Sequence, residues 1–136
     1  MKQENGKNQP RDRMKNVLVV DDESDILTLV SVNLQIRGYQ VAEAKNGTEA
    51  LARLRVEPPS LMVLDIKLPD VSGWELLKGI REDPQIESGF PVLIMTASIS
   101  ETIIDLETYP SVVDILLKPF STTKLLSAVE RAIGQR

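Results

Sequence analysis

The chain has 136 residues, 42% of them hydrophobic and 26% charged, with no cysteine and no histidine. That length suits one domain with a real core, and the two absences exclude a disulfide framework, thiolate metal sites and histidine-based acid–base or zinc chemistry. The net charge is −4, although residues 1–15 are basic, with Lys2, Lys7, Arg11, Arg13 and Lys15 against Glu4 and Asp12; an acidic remainder is the wrong sign for a nucleic-acid surface, so no direct DNA binding is expected.

Residues 1–15 read as a polar basic leader in solvent, and residues 16–136 as the folded domain. No apolar run approaches a membrane span and no signal-peptide core follows Met1, so a cytoplasmic protein with no membrane partner is expected.

Val17–Val20 (VLVV) is a continuous apolar run, as in strands buried on both faces, and it ends in Asp21-Asp22-Glu23. Ser24–Arg37 reads as a helix with Ile26, Leu27, Val30 and Leu34 on one stripe, Ser24 as N-cap and Gly38 as the stop. A weaker strand, Gln40–Ala44, precedes a helix over Thr48–Arg55 that groups Ala50, Leu51 and Leu54. The run Leu61–Leu64 (LMVL) ends in Asp65, and Ser72–Arg81 then forms a helix carrying Trp74, Leu76, Leu77 and Ile80. Val92–Met95 (VLIM) ends in Thr96, ahead of a weaker helix over Ser98–Leu106. Val112–Leu117 (VVDILL) ends in Lys118, Pro119 follows at once, and an amphipathic helix over Ser121–Ile133 closes the domain.

Strands alternating with helices give an α/β protein of (βα)5 form with a parallel sheet. Open parallel sheets bind ligands beyond the carboxyl ends of their strands. Four of the five strand ends carry complementary chemistry there: Asp21-Asp22-Glu23, Asp65, Thr96 and Lys118. Gathered carboxylates repel unless a cation joins them, and Mg²⁺, a hard ion that takes oxygen ligands, suits this set. The ion and Lys118 could flank a phosphoryl group, with Thr96 donating to a remaining oxygen. The nucleophile would be a carboxylate, giving an aspartyl phosphate.

Asp21-Asp22, LDIKLPD around Asp65, Gly73, MTA at Met95–Ala97 and LLKPF at Leu116–Phe120 together resemble the motif set of response-regulator receiver domains, from about Asn16 onward. The resemblance implies a doubly wound three-layer sandwich, flavodoxin-like, with parallel sheet order 2-1-3-4-5. It implies that Asp65 is the phosphoacceptor, charged by a histidine kinase or a histidine phosphotransfer protein. Asp21, Asp22, Asp65 and the backbone carbonyl of Lys67 would hold Mg²⁺. Lys118 would pair with Asp65 and then with its phosphoryl group, Thr96 would turn inward to it, and Lys118-Pro119 would be a cis peptide. A downstream protein would read the face of the fourth helix, fifth strand and fifth helix; a homodimer is left open, as is a longer parent protein.

The chain departs from the family pattern at Ile115, where receivers usually carry a switching aromatic, and an isoleucine filling the strand is the favoured reading. Lys67 and Ser98 stand where the family tunes hydrolysis, and neither offers a carboxylate or amide to hold water, so slow self-dephosphorylation is expected. Trp74 is read as core packing, and Tyr109-Pro110 as a stiff aromatic turn available to a partner. A constitutive, non-switching interaction module is the alternative. A Mg²⁺-dependent phosphohydrolase lacks a second acid beside the nucleophile, and three acids after the first strand disfavour a flavin phosphate loop.

Overall fold

The computed structural model of the protein describes residues 15–99 and 107–134. Five strands, β1 (Asn16–Val20), β2 (Gln40–Ala44), β3 (Leu61–Asp65), β4 (Val92–Thr96) and β5 (Val112–Leu117), pair in parallel in the order 2-1-3-4-5. Among the described residues there are four helices, α1 (Ser24–Ile36), α2 (Gly47–Val56), α3 (Gly73–Glu82) and α4 (Thr122–Gly134). This is the doubly wound α/β sandwich expected from the sequence. The expected helix Ser98–Leu106 lies outside the described residues apart from Ser98 and Ile99.

Side chains of a strand alternate between the two faces of the sheet, so one apolar run feeds two cores. Val17 and Val19, Leu61 and Val63, and Leu93 and Met95 pack with Leu27, Val30 and Leu34 of α1 and Leu125 and Val129 of α4. Leu18 and Val20, Met62 and Leu64, and Val92 and Ile94 pack with Ala50 and Leu54 of α2 and Leu76, Leu77 and Ile80 of α3. β3 and β4 are buried along their whole length, which is why these runs do not alternate with polar residues. Each fully buried leucine, Leu34 and Leu125 among them, stabilises the fold by about 1.5–3 kcal/mol. The edge strands β2 and β5 are only half covered, and β5 takes in an extra residue at Val113, where its register against β4 slips.

The helix ends are set locally. Gly38 adopts φ 94°, and with the Gly38 N–H on the Gln35 carbonyl and the Tyr39 N–H on the Leu34 carbonyl it terminates α1 in a Schellman turn. At the other end the expectation is corrected: Ser24 is the first helical residue, and Glu23 is the N-cap, without a side-chain cap bond. The side chain that could cap is drawn elsewhere, because the Glu23 carboxylate is held by Lys118. Ser72 and Glu75 form a reciprocal capping box at the start of α3.

Asp70, in the loop after β3, accepts hydrogen bonds from the Gly47 N–H at 2.8 Å, the Thr48 N–H at 3.0 Å and the Thr48 hydroxyl at 3.1 Å. Its carboxylate thus serves the positive end of α2 while tying that helix to the loop. The bond from Gly47, helped by those from Thr48, holds the Asp70 carboxyl below its ordinary range. A depressed carboxyl pKa contributes stability above the unfolded value of about 3.9 and loses it as pH falls through the folded value. Asp70→Ala is therefore expected to lower the urea midpoint at pH 7, with the deficit shrinking as unfolding is repeated at progressively more acid pH below about 4. A deficit equally large at the acid end would contradict the carboxylate's role.

Candidate functional site

The carboxyl ends of β1, β3, β4 and β5 meet around a cleft of about 450 Å³ lined by Asp22, Glu23, Asp65, Lys67, Thr96 and Lys118, among others. Asp21 lies beneath its floor, fully buried, and Asp65 and Thr96 are buried beside it. The strand-end residues singled out in the sequence are thus brought to one place. Parallel pairing sets Val20 of β1 opposite Leu64 of β3 and Asp65 opposite Met95 of β4, so the three strands end within a residue of one another.

Lys118 Nζ lies 2.8 Å from Asp21 Oδ2, 2.8 Å from Glu23 Oε1 and 3.1 Å from Asp65 Oδ2. The expected pairing of Lys118 with Asp65 is present, but Asp21 and Glu23 share the ammonium. Its backbone N–H donates to the Thr96 carbonyl at 2.7 Å, and the Lys118-Pro119 peptide is cis. Burial alone would depress the lysine pKa, but its bonds to Asp21, Glu23 and Asp65 outweigh it and hold the pKa above the ordinary range. Burial, reinforced by the charge of Asp65, raises the Asp21 carboxyl despite bonds from Lys118 and the Glu23 N–H. The bond to Lys118 lowers the Glu23 carboxyl. Four carboxylates, Asp21, Asp22, Glu23 and Asp65, outnumber the two lysines at the cleft, Lys67 and Lys118, so the cleft attracts further positive charge.

Asp21, Asp22 and Asp65 each offer an oxygen within 4.8 Å of the others, so this group could hold a metal ion. Carboxylate oxygens suit a hard cation such as Mg²⁺. Lys67 lines the same cleft, and its N–H donates to Asp65 Oδ1 at 3.1 Å, fixing the orientation of that carboxylate.

The loop carrying these groups is held closely. The Gly73 N–H donates to the Ile66 carbonyl at 2.6 Å, and Lys67 bridges to Ser72. A Cβ on Gly73 would lie 2.9 Å from the Ile66 Cα and 3.2 Å from the Asp65 carbonyl oxygen, so glycine permits the backbone approach that places Asp65. The Thr96 hydroxyl donates to the Ser98 carbonyl at 3.0 Å and accepts from the Ser98 N–H at 3.1 Å. It is thereby committed to the loop that follows β4.

Two aromatic residues read separately in the sequence form one feature. Trp74 stacks on Tyr109 with ring centroids 5.4 Å apart, and the Arg81 guanidinium lies 5.0 Å from the Tyr109 centroid. Arg81 also donates to the Thr108 carbonyl at 3.2 Å, which ties this segment to α3. Trp74 packs against the α2–α3 core, as expected, and Ile115 packs half-buried against the same core. The Tyr109 ring is engaged inside the protein with Trp74 and Arg81. Sequence reasoning missed Glu23 as a partner of Lys118 and Asp70 as the clasp on α2. The acidic run Asp21-Asp22-Glu23 was the only signal for the former; a polar loop residue gave none for the latter.

A parallel 2-1-3-4-5 sheet with an acidic, lysine-containing cleft at its carboxyl edge defines an α/β protein of the chemotaxis-regulator-like kind. The family model described as response regulator receiver domain matches residues 17–130, and the chain belongs to that family, the receiver domains of two-component signalling. It is 39% identical over 118 residues to the alkaline phosphatase synthesis transcriptional regulatory protein PhoP of Bacillus subtilis, covering 85% of this chain and 47% of that protein. Against the phosphate regulon transcriptional regulatory protein PhoB of Rhizobium meliloti the identity is 36%, covering 86% and 51%. The chain spans about half the length of these curated relatives. Among solved structures it is similar to the chemotaxis response regulator CheY4 of Vibrio cholerae, with a TM-score of 0.79 and 32% identity over 88% of this chain and 98% of that one. The expectation of no DNA partner is not borne out, because PhoP and PhoB are named as transcriptional regulatory proteins. No helix among the described residues is long and apolar enough to cross a membrane.

Proposed function

We propose that the protein is a phosphoacceptor switch that takes a phosphoryl group onto Asp65 from a phosphohistidine of a histidine kinase or histidine phosphotransfer protein in the cytoplasm. The observation that carries this is the buried Asp65 carboxylate, oriented by the Lys67 N–H and faced by the Lys118 ammonium at the floor of an open cleft. An Asp65 oxygen attacks phosphorus; the O–P bond forms as the P–N bond to imidazole breaks, and the imidazole leaves with the bonding electron pair. Asp21, Asp22, Asp65 and the Lys67 carbonyl would hold Mg²⁺, whose positive charge, when bound, offsets the charge gathering on the phosphoryl oxygens. Lys118 steadies the same oxygens, and Thr96 exchanges its bonds to Ser98 for one to the phosphoryl group, drawing the loop after β4 with it.

The downstream surface would be the face of the expected helix Ser98–Leu106, β5 and α4; in the last two, exposed Leu117 lies beside Thr123, Lys124, Ser127 and Arg131. Ile115 favours a second reading, a constitutive binding module, since a half-buried isoleucine packed in the core has no ring to swing.

Incubation with phosphoramidate and Mg²⁺, read by intact mass, tests the proposal. The expected result is the gain of one phosphoryl group, lost to hydroxylamine as acyl phosphates are and prevented by EDTA. No gain, or a gain that resists hydroxylamine, overturns it in favour of the constitutive module.

A further inference from the structure

An ammonium group has three N–H donors. Lys118 uses all three on carboxylates, at 2.8 Å to Asp21, 2.8 Å to Glu23 and 3.1 Å to Asp65. A phosphoryl oxygen arriving on Asp65 can therefore be bonded by Lys118 only after one of these contacts is released. The three differ in how readily they let go. The Asp21 side chain is fully buried, and removing its cation would leave a charge stranded in a low-dielectric floor. Asp65 is itself the point of arrival. The Glu23 side chain is 59% exposed and can return to water at little cost.

Glu23 has no competing structural duty for its side chain. It stands at the N-cap of α1 but forms no side-chain cap bond; its backbone does that work, the carbonyl accepting from the Leu27 N–H at 3.0 Å and the N–H donating to Asp21 Oδ1 at 2.8 Å. Its carboxylate lines the cleft with Asp22 and Lys67, and all three residues are exposed. We propose that Glu23 is a displaceable placeholder: its carboxylate occupies the Lys118 donor that a phosphoryl oxygen later takes, and so sets how readily the site is loaded. Glu23 is a positioning residue acting through Lys118, and the inference rests on the reading of Asp65 as phosphoacceptor. The placeholder keeps the ammonium fully paired and aimed at the cleft, and it opposes loading with both its bond and its charge.

Glu23→Gln keeps the shape and weakens the bond by removing the charge. With phosphoramidate at saturating Mg²⁺, Asp65 forms its O–P bond as the P–N bond breaks and ammonia leaves, so no other co-reactant is needed. The loading rate of the variant is expected to rise about two- to fivefold over wild type, the scale of one exposed charge pair. A second readout needs neither donor nor metal: nitrogen-15 spectra of the Lys118 ammonium, which should exchange its protons with water faster in the variant. Glu23→Asp, one methylene shorter, should behave like the glutamine variant if contact with the ammonium matters. A loading rate that is unchanged or lower in Glu23→Gln, unchanged ammonium exchange, or a Glu23→Asp protein indistinguishable from wild type overturns the placeholder. A wild-type protein that gains no phosphoryl group instead sinks the phosphoacceptor reading, while the ammonium measurement still reports on the Glu23 contact.

Discussion

Asp65→Asn is expected to abolish phosphoryl uptake while leaving the protein at least as stable as wild type. The amide is nearly isosteric, so its oxygen can still accept from the Lys67 N–H or from Lys118, but it is no nucleophile towards phosphorus. Stability should move the other way because four carboxylates outnumber the two lysines at the cleft, and only Lys118 is ion-paired with Asp21 and Asp65. Removing one carboxylate relieves repulsion with Asp21 and Asp22 and loses attraction to Lys118; each is a few kcal/mol at an effective dielectric of about 20, and the balance is a gain of about 1 kcal/mol. The pH dependence follows from Asp21. Its carboxyl pKa is raised in the folded protein, by burial first and by Asp65 among the other causes. A raised carboxyl pKa means that the folded state holds the proton more tightly, so stability falls as pH rises from the unfolded value of about 3.9 through the folded one. Without Asp65 that fall should be shallower. Urea unfolding of both proteins between pH 4 and 7, alongside the mass assay, checks each part. A phosphorylated Asp65→Asn protein would remove Asp65 as acceptor, and a large loss of stability would show that its pairing with Lys118 outweighs the repulsion.

The parts of this site that were legible in the sequence are those that a strand end announces. Val20, Leu64, Met95 and Leu117 each close an apolar run whose next residue is polar, and a parallel sheet leaves those polar residues on one edge. The boundaries of β1, β3 and β4 moved by a residue at most, because continuous burial on both faces tolerates no polar residue inside the run. What the sequence hid is what depends on side-chain reach across the fold. Glu23 meets Lys118 across 95 positions of chain, and nothing in a run of three acids says which of them turns towards a lysine. Ser24 looked like the N-cap because serine favours that place, whereas the chain turns into α1 one residue earlier. Asp70 reads as an ordinary loop acid until the start of α2 is folded against it. Trp74 was legible as a core aromatic and Tyr109 as part of a stiff turn, but their stacking depends on a segment doubling back onto α3, which no local pattern encodes.

Lys118→Met carries the opposite expectation to Asp65→Asn for stability and the same one for function. Methionine fills much the same volume along the half-buried stem, so the loss isolates the charge. The variant leaves Asp21 and Asp65 buried beside each other without their cation, and breaking a buried pair in this way costs about 3–5 kcal/mol when the stranded charge cannot escape. Here it can escape in part, because Asp21 is already disposed to take a proton, so a loss of about 2–3 kcal/mol at pH 7 is expected. The pH range follows from the lysine itself. Its folded pKa is raised, so its contribution is fully present below the unfolded value of about 10.4 and is lost as pH rises towards the folded one. The gap between the two proteins should therefore be smallest at the acid end, widen as rising pH takes the relieving proton from Asp21, and close only in strong alkali. Mg²⁺ should narrow it, since a cation bound more tightly to the variant's freed carboxylates stabilises that protein the more. Loading by phosphoramidate should fall steeply, because nothing else in the described cleft carries a positive charge this close to Asp65. Chemical denaturation with and without Mg²⁺ measures the first effect and intact mass the second. A variant as stable as wild type in the absence of Mg²⁺, or one that loads as fast, would show that Lys118 is not the charge the buried carboxylates depend on.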